Sequence, residues 1–427
     1  MPIYLIVVVI SSLIGVPIVF SLSFGPFVDF LVNGKALMLG TLVQRSFAGI
    51  HKFVLLSVPL FILAGKLMNR GGITLRIVKF ARAMVGHFYG GLAQVNILAS
   101  ILFAGLSGSA VADTSALGSI LIPAMEEDGY PKDFSGAVTA ASSIIGPIIP
   151  PSIIMIVYSF IMEVSTGALF AAGIIPGITM GIGLMIMTTV ISRRRNFPRN
   201  KKSTLHEKII AGKKGFLPML TPLIILGGIL FSIVSPTEAA VLAVAYSLFL
   251  GIFILKHIKI FELSEIFCDA ALESAVILLV IGSAAMFGWV LTVTRVPHNL
   301  ATMILDVTEN RYVFLIIMNI FLFIIGMFLD AGPAILILGP ILGPTLIEMG
   351  INPTHFAVVM CVNLTVGLAT PPFGLVLFAA STVTKLSIGK IVRQMVPYWV
   401  VHVLVILIIT FIPELSLFLP RLLGLPV

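Results

Sequence analysis

Charged side chains are scarce in this sequence. Only 10% of its 427 residues are Asp, Glu, Lys or Arg, while 59% are hydrophobic and the mean hydropathy is +1.15. Soluble domains carry about 25% charged residues, so a soluble globular fold is excluded. The longer stretches without charge include 3–28, 134–162, 164–192, 215–237, 274–294, 349–384 and 394–413. Each reaches the roughly 17–25 residues that a membrane helix needs, which predicts an all-α polytopic membrane protein.

Several chemical motifs are also missing. The two cysteines, Cys268 and Cys361, form no CxxC pair, and the sequence contains no GxxxxGK[ST], HxxxH or HExxH string. These absences argue against a disulfide framework, a thiolate or histidine metal site and an ATPase within this chain. We therefore expect no cofactor other than a coupling ion.

An excess of positive charge is confined to one segment. Residues 193–214 hold nine of the 26 basic residues against the single acid Glu207, and this +8 equals the net charge of the protein. A short basic segment between membrane helices is typical of a cytoplasmic loop. We therefore predict that residues 193–214 form such a loop and that the protein has no nucleic-acid partner. The first charged residue is Asp29, so residues 1–24 are interpreted as a retained helix, not a cleaved signal peptide.

Glycines and prolines recur at one constant spacing of 221 positions. The pairs are Gly105/Gly326, Gly118/Gly339, Pro123/Pro344, Gly129/Gly350, Gly146/Gly367, Pro150/Pro371 and Pro151/Pro372. Because these residues bend or interrupt helices, the duplicated feature is a set of helix interruptions. Paired broken hydrophobic segments in the two halves of a chain indicate a secondary transporter and its binding site.

The spacing divides the chain into a first repeat (1–192), a basic loop with a connecting helix (193–235) and a second repeat (236–427). Each repeat is predicted to contain four crossings and one hairpin, and the single connecting crossing makes the repeat inverted. The predicted helices are 3–24, 51–68, 134–168, 170–192, 216–234, 236–256, 271–294, 354–384 and 396–418. An amphipathic basic segment, 70–88, is expected to lie along the membrane interface.

Two segments are predicted to be re-entrant hairpins, at about 92–127 and 312–349. Each contains two apolar pieces of about 15 residues, and such a piece rises about 22 Å, less than the roughly 30 Å hydrocarbon core. The turns are expected at the Gly/Ser-rich stretch 105–114 and at 329–333.

Asp113 and Asp330 are the acidic residues of the two hairpin tips. An ionisable side chain at membrane depth is a functional candidate, and a carboxylate is a suitable ligand for a cation. Aspartate is also a good helix N-cap, and Asp113 precedes Thr114 and Ser115 where a helix can begin. Both interpretations stay open, and they are compatible with each other.

The segments 134–168 and 354–384 are predicted to be broken helices, interrupted at Pro150-Pro151 and Pro371-Pro372. A Pro-Pro pair leaves backbone carbonyls without donors, and in a membrane these are tolerated where they line a cavity or bind an ion. Carbonyls, hydroxyls and carboxylates suit a hard cation such as sodium, and half-helix N-termini suit an anionic substrate. Simple proline kinks for packing are the alternative.

The strings AGLSGSAVADTSALGSILIPAMEEDGY (104–130), AASSIIGPIIPPSI (140–153), MNRGGI (68–73) and NLTVGLATPPFG (363–374) resemble the large membrane subunit of tripartite ATP-independent periplasmic (TRAP) transporters. The resemblance covers essentially the whole chain. It implies an elevator-type, sodium-coupled importer of organic acids such as sialic acids or C4-dicarboxylates in the bacterial inner membrane. It also implies two partners: a periplasmic substrate-binding protein and a small four-helix membrane subunit, expected here as a separate chain.

The resemblance further implies two sodium sites. The first would be formed by Ser107, Gly108, Ser109, Asp113, Ser142, Gly146 and Pro150. The second would be formed by Asp330, Gly332, Asn363, Gly367 and Thr370. Candidates for the substrate cavity are Thr114, Ser143, Pro151, Ser152, Pro371 and Pro372. Asp113 corresponds to Ala334 at the 221 spacing and Asp330 to Ser109, so the two sodium sites are not expected to be equivalent.

Two other functions are compatible with parts of the sequence. An intramembrane aspartyl protease could use Asp113 and Asp330 as a pair that shares one proton, although neither lies in a Gly-x-Gly-Asp string. A stand-alone sodium-coupled carboxylate carrier of the same superfamily would lack the binding protein.

Overall fold

The computed structural model describes residues 3–198, 202, 204–296, 298–299, 302, 308 and 310–427. Side chains of Leu13, Leu106, Ser107 and Lys214 lie outside this description. Within the described part the regular elements are all helical. The first half contains α1 (Ile3–Leu13), α2 (Ile18–Val32), α3 (Leu39–Ile50), α4 (Ser57–Arg70), α5 (Ile73–Val85), α6 (Gly91–Ser107), α7 (Ala110–Glu127), α8 (Lys132–Ser143), α9 (Ile153–Ile161) and α10 (Thr166–Arg195).

The remaining helices are α11 (Leu205–Leu230), α12 (Pro236–Phe249), α13 (Leu263–Val293), α14 (Arg311–Phe328), α15 (Ala331–Glu348), α16 (Pro353–Gly367), α17 (Leu375–Thr384), α18 (Ile388–Phe411) and α19 (Glu414–Leu422). A π-helical turn, Leu250–Ile254, extends α12. Seven helical segments of the described chain are long and apolar enough to cross a membrane, or eight if a bent pair counts as one span. The prediction of a helical, multi-pass membrane protein is confirmed.

The prediction of one helix over 3–24 is wrong. α1 ends at Leu13, the chain turns through Gly15 with a φ of 88°, and α2 begins after Pro17. Proline has no N–H to continue the helix, and a φ of this sign favours glycine. α2 packs back on α1 so closely that a side chain at Gly25 would lie 2.7 Å from the carbonyl oxygen of Tyr4. The helix α3 was not predicted.

Both predicted hairpins are present as helix pairs. α6 and α7 meet at Gly108, whose φ is +61°, and Ser109, whose hydroxyl caps α7 by accepting from the N–H of Ala112. α14 and α15 meet at Leu329 and Asp330. The first turn is therefore shorter than the predicted 105–114. Their re-entrant position in the membrane stays a prediction.

Both predicted broken helices are interrupted where the prolines lie. The first is divided into α8 and α9 by residues 144–152, and the second into α16 and α17 by residues 368–374. Each interruption contains a cis Pro-Pro bond, at Pro150-Pro151 and at Pro371-Pro372. The predicted end at 168 is wrong, because α9 stops at Ile161 and the hydroxyl of Ser165 caps a new helix, α10.

Element boundaries also recur at the spacing of the glycines and prolines. Ala110 and Ala331 begin α7 and α15, and Glu127 and Glu348 end them, in each case 221 positions apart. Lys132 and Pro353, which begin α8 and α16, have the same separation. The inverted orientation of the repeat, its division at 192 and 236 and an elevator motion stay predictions.

Other boundaries needed correction. The basic segment 193–214 is partly helical, because α10 runs to Arg195 and a Thr204–Glu207 capping box starts α11, so 196–204 connects them. Helix α13 begins before residue 271, which was its predicted start. The predicted helix 396–418 is wrong at both ends, since α18 covers 388–411 and Pro413 precedes α19. The amphipathic segment 70–88 forms α5, with Ile77 and Ala81 buried and Lys79 exposed.

The two halves share one buried core. α13 from the second half packs against α2, α3 and α4 from the first, and α18 packs against α8 and α10. Polar contacts join distant parts of the chain at this interface: Tyr4 and Thr294 form a 2.7 Å hydrogen bond between hydroxyls, and Ser23 donates to Ser283 over 3.1 Å.

Candidate functional site

Both hairpin tips open into one central cavity of about 680 Å³. The first tip contributes Gly108 and Ser109, and the second contributes Asp330 and Gly332. The interruptions contribute Pro147 and Leu368. Across from them, α13 supplies one wall with Glu273, Val276, Ile277, Val280 and Ile281. The central cavity is therefore bounded by all four elements that the repeated pattern singled out, together with α13.

The first tip is in direct contact with the first interruption. Asp113 is fully buried, and a side chain at Gly146 would collide with its carboxylate. At Gly108 an added Cβ would lie 2.9 Å from the carbonyl oxygen of Pro151. At Gly105 the close neighbour is instead Pro222 of α11, whose Cβ would lie 2.8 Å from an added Cβ. Glycine is thus required for the first hairpin tip to approach the first interruption this closely. As a result, most residues of the first predicted sodium site lie near one another.

Hydroxyl groups hold this contact from inside the protein. The hydroxyls of Thr114 and Ser143 are 2.6 Å apart, and Ser100 donates to Ser142 over 2.8 Å. Ser152 donates to the carbonyl oxygen of Pro147 over 2.6 Å and caps α9. All of these side chains are fully buried.

The predicted substrate-cavity residues therefore lie elsewhere in the described structure. Thr114, Ser143 and Ser152 bond within the protein and are not part of the lining of the central cavity. Pro151 is buried and Pro372 is exposed, and the lining includes neither of them nor Pro371. The residues that do line the cavity come from both hairpins, both interruptions and α13, with further residues from α2, α9 and α17.

The residues of the second predicted sodium site do not all lie together in the structure. Asp330 and Gly332 face the central cavity, and Asp330 caps α15 by accepting from the N–H of Ala331 at 2.9 Å. Thr370 is buried and donates to the carbonyl oxygen of Val366 over 3.0 Å. At Gly367 a side chain would collide with the backbone of Gly326, so the second tip also touches its interruption.

Asn363 belongs to a buried polar cluster that the sequence reading did not recognise. Its amide donates to the side-chain oxygen of Asn319 on α14 over 2.7 Å. Asn319 in turn donates to the hydroxyl of Thr410 on α18 over 3.0 Å. This cluster fastens the first arm of the second hairpin to α16 and α18.

The two tips differ in the position of their carboxylates. Asp113 lies in the first turn of α7, whereas Asp330 precedes the first residue of α15. Ala334, which corresponds to Asp113, is buried and cannot bind an ion through its side chain. The two tips therefore differ in where their carboxylates lie, and the two sodium sites stay a prediction.

Two charged residues near the tips were missed from the sequence. Lys66 on α4 and Glu273 on α13 form an ion pair of 3.0 Å, and both line a second cavity of about 370 Å³ beside the first tip. Asn69 lies in the same lining. In the sequence, each is a charged residue within a predicted membrane helix, which is the same feature that makes the hairpin acids functional candidates.

Solved structures of membrane transporters share this fold. The Alcanivorax borkumensis YdaH transporter aligns with 97% of this chain and 100% of its own at a TM-score of 0.65 and 16% identity. Neisseria gonorrhoeae MtrF, described as illuminating a class of antimetabolite efflux pumps, aligns with 88% of this chain and 84% of its own at a TM-score of 0.60 and 16% identity. At 16% identity this likeness shows the fold alone, which is that of a multi-pass helical membrane protein.

Residues 5–415 match the family model of the tripartite ATP-independent periplasmic transporter, DctM component. The sialic acid TRAP transporter large permease protein SiaM of Vibrio cholerae is 38% identical over 96% of this chain and 95% of its own. The C4-dicarboxylate TRAP transporter large permease protein DctM of Pseudomonas aeruginosa is 37% identical over 90% of each. The uncharacterized protein YgiK of Salmonella typhimurium is 39% identical over 98% of each.

The chain belongs to this family and is a TRAP transporter large permease. The resemblance noted in the sequence is confirmed. A transporter component, not an enzyme, is what the relatives support, so the aspartyl protease hypothesis is set aside.

Proposed function

We propose that this chain is the large permease of a sodium-coupled transporter that imports an organic acid anion of the sialic acid or C4-dicarboxylate type. The observation that carries the proposal is the central cavity, where both hairpin tips meet. Sodium is the coupling ion and no other cofactor is involved. The mechanism is of the elevator type, in which the hairpins and broken helices carry the substrate across the membrane.

The N-termini of two helices support an anionic substrate. α7 and α15 begin at Ala110 and Ala331, and both residues line the central cavity. The first four backbone N–H groups of a helix have no partner within it and carry a partial positive charge. In each of these helices a side chain, Ser109 or Asp330, accepts from one of them, and the rest of the first turn favours a carboxylate. The hydroxyls of Ser109 and Ser115 add polar groups to a mostly apolar lining, as is typical of small-molecule sites.

The oxygen atoms around each tip support sodium binding. Asp113 lies beside the interruption at Gly146, where backbone leaves its helical path and carbonyls become available. Asp330 brings a carboxylate to the cavity itself. Carboxylate, carbonyl and hydroxyl oxygens are the ligands that hard cations prefer, and buried backbone carbonyls need such partners in a membrane. This arrangement supports the proposal of two unlike sodium sites, one at each tip.

The names of the relatives support the choice of substrate and partners. They include sialic acid and C4-dicarboxylate transporters, and the family model describes a tripartite transporter. We therefore propose a periplasmic binding protein and a small four-helix subunit as partners. The complex would lie in the lipid of the bacterial inner membrane, with the segment 193–214 in the cytoplasm, as its basic charge indicates.

Reconstituted uptake tests the proposal. Proteoliposomes containing this chain and its small subunit should take up radiolabelled anion when the binding protein and a sodium gradient are both present. Replacing sodium with choline or potassium should abolish uptake, and omitting the binding protein should reduce it to a small residue. Unchanged uptake in choline would contradict sodium coupling. Robust saturable uptake without the binding protein would favour a stand-alone carboxylate carrier.

A further inference from the structure

Lys66 and Glu273 place two charges within α4 and α13, further from the helix ends than Arg70 and Glu265. Lys66 Nζ and Glu273 Oε2 are 3.0 Å apart, and their side chains are 31% and 44% exposed. Charges inside membrane helices are costly and are usually retained for function, with a partner nearby. The ion pair satisfies both charges while leaving each partly accessible.

The position of the pair connects it to the path of the substrate. Glu273 lines both the central cavity and the smaller cavity beside the first tip, while Lys66 lines the smaller one. Ser109, Ala112 and Ser115 of the first hairpin also line both. The two cavities therefore adjoin, and the ion pair stands at their junction facing the first hairpin.

The charges of the two linings are unequal. Among the described residues that line these cavities, Lys66 is the basic one, whereas Glu273 and Asp330 are acidic. An unpaired Glu273 would repel an anion that passed the junction, since like charges a few ångströms apart interact strongly in a partly dry site. The long, flexible side chain of lysine allows its ammonium group to turn from Glu273 toward a passing carboxylate.

We propose that Lys66 is the cation that the substrate's carboxylate meets at this junction, and that Glu273 is its resting counter-ion. The inference rests on the proposed function, because it requires an anionic substrate. In the empty protein the pair is neutral. When the anion arrives, Lys66 exchanges Glu273 for the substrate.

The alternative is a purely structural role, in which the pair fastens α4 to α13. The chain contains a matched control for that role. Arg70 and Glu265 join the same two helices with a 2.8 Å contact, their side chains are 56% and 60% exposed, and neither lines the two cavities.

The test is isothermal titration of the purified complex of this chain and its small subunit with sialic acid and with succinate, in saturating sodium. Lys66→Met should weaken binding about tenfold, because Glu273 is left as an uncompensated anion. Glu273→Gln should strengthen binding, because Lys66 is left without its counter-ion. The double variant should bind within about threefold of the parent. Lys66→Arg, which keeps the positive charge, should also bind within about threefold of the parent.

Opposite effects of the two single variants distinguish the roles. A structural fastening would change affinity in the same direction in both, with parallel losses in thermal unfolding temperature, and that result would overturn the inference. The inference would also be overturned if Lys66→Met and Arg70→Met bind the anion with equal affinity. If Lys66→Met does not fold, Glu273→Gln decides alone, since weaker or unchanged binding contradicts the proposal. A parent that binds neither anion would instead refute the substrate class, and the inference with it.

Discussion

Asp330 combines two roles that a single substitution can separate. Its carboxylate caps α15 through the N–H of Ala331 and also faces the central cavity. Asparagine caps a helix about as well as aspartate but carries no charge. The pair of substitutions to Asn and to Ala therefore distinguishes a helix cap from a sodium ligand.

We predict that Asp330→Asn folds normally but needs about tenfold more sodium for half-maximal uptake. Asp330→Ala should lose the same sodium affinity and, in addition, roughly 0.5–2 kcal/mol of stability. Sodium-dependent uptake and thermal unfolding in detergent measure the two effects. Asn310→Ala is the control, because Asn310 caps α14 by accepting from the N–H of Tyr312 at 2.9 Å and lies outside the central cavity. Parent-like sodium dependence in Asp330→Asn would leave capping as its role.

The types of residue at the site could be read from the sequence, but their partners could not. Asp113 and Asp330 stood out as acids in apolar surroundings, and the structure places both at the tips. Thr114 and Ser143 were expected in the cavity because hydroxyls bind ligands, yet they bond to each other. Burial and pairing of hydroxyls depend on which helices pack together, and the composition of one segment does not contain that information.

At the scale of elements, glycine sets how closely each interruption approaches its hairpin. Gly146 lies against the carboxylate of Asp113, and Gly367 lies against the backbone of Gly326. The two glycines are 221 positions apart, but their neighbours do not correspond: Gly146 meets a side chain and Gly367 meets a main chain. Backbone yields less readily than a side chain, so the same substitution should have different results in the two repeats.

We predict that Gly146→Ala displaces Asp113 and lowers sodium affinity, with a loss of about 1–3 kcal/mol in stability, typical of overpacking. Gly367→Ala should destabilise the protein more, because the added methyl group meets fixed backbone. Gly389→Ala is the control, since no atom lies within 4 Å of its added Cβ, and it should be neutral or slightly stabilising. Thermal unfolding and sodium-dependent uptake report both effects. Gly146→Ala with parent-like sodium affinity would argue against an ion at Asp113.

The same residue types explain which elements were predictable. Repeated glycines and prolines located both hairpins and the second broken helix to within two residues, but the first broken helix ends seven residues before its predicted end. Gly15 and Pro17 carried the same kind of signal, but they have no repeat partner and the break between α1 and α2 was overlooked. The wall formed by α13 was hidden for another reason: its sequence is that of an ordinary apolar span, and only packing brings it to the tips.

For the whole molecule, the proposed coupling predicts a voltage dependence. Moving one charge across 100 mV is worth about 2.3 kcal/mol, so an inside-negative potential opposes entry of an anion. Import of a monoanion driven by this potential needs at least two sodium ions, in agreement with one site at each tip. Uptake in proteoliposomes should accelerate when a potassium diffusion potential makes the interior negative. A rate that is independent of the imposed potential would exclude net movement of positive charge.

The contacts of the N-terminal helices with α13 have a consequence for synthesis of the protein. Tyr4 bonds to Thr294, and Ser23 to Ser283, across more than half of the chain. At about 5–20 residues per second, a ribosome needs on the order of 15–60 s to reach α13 after α1 has emerged. During this interval the main packing partner of α1 is α2, and their close approach at Gly25 and Tyr4 stabilises them as a pair. During insertion, α13 therefore packs onto helices that were synthesised well before it.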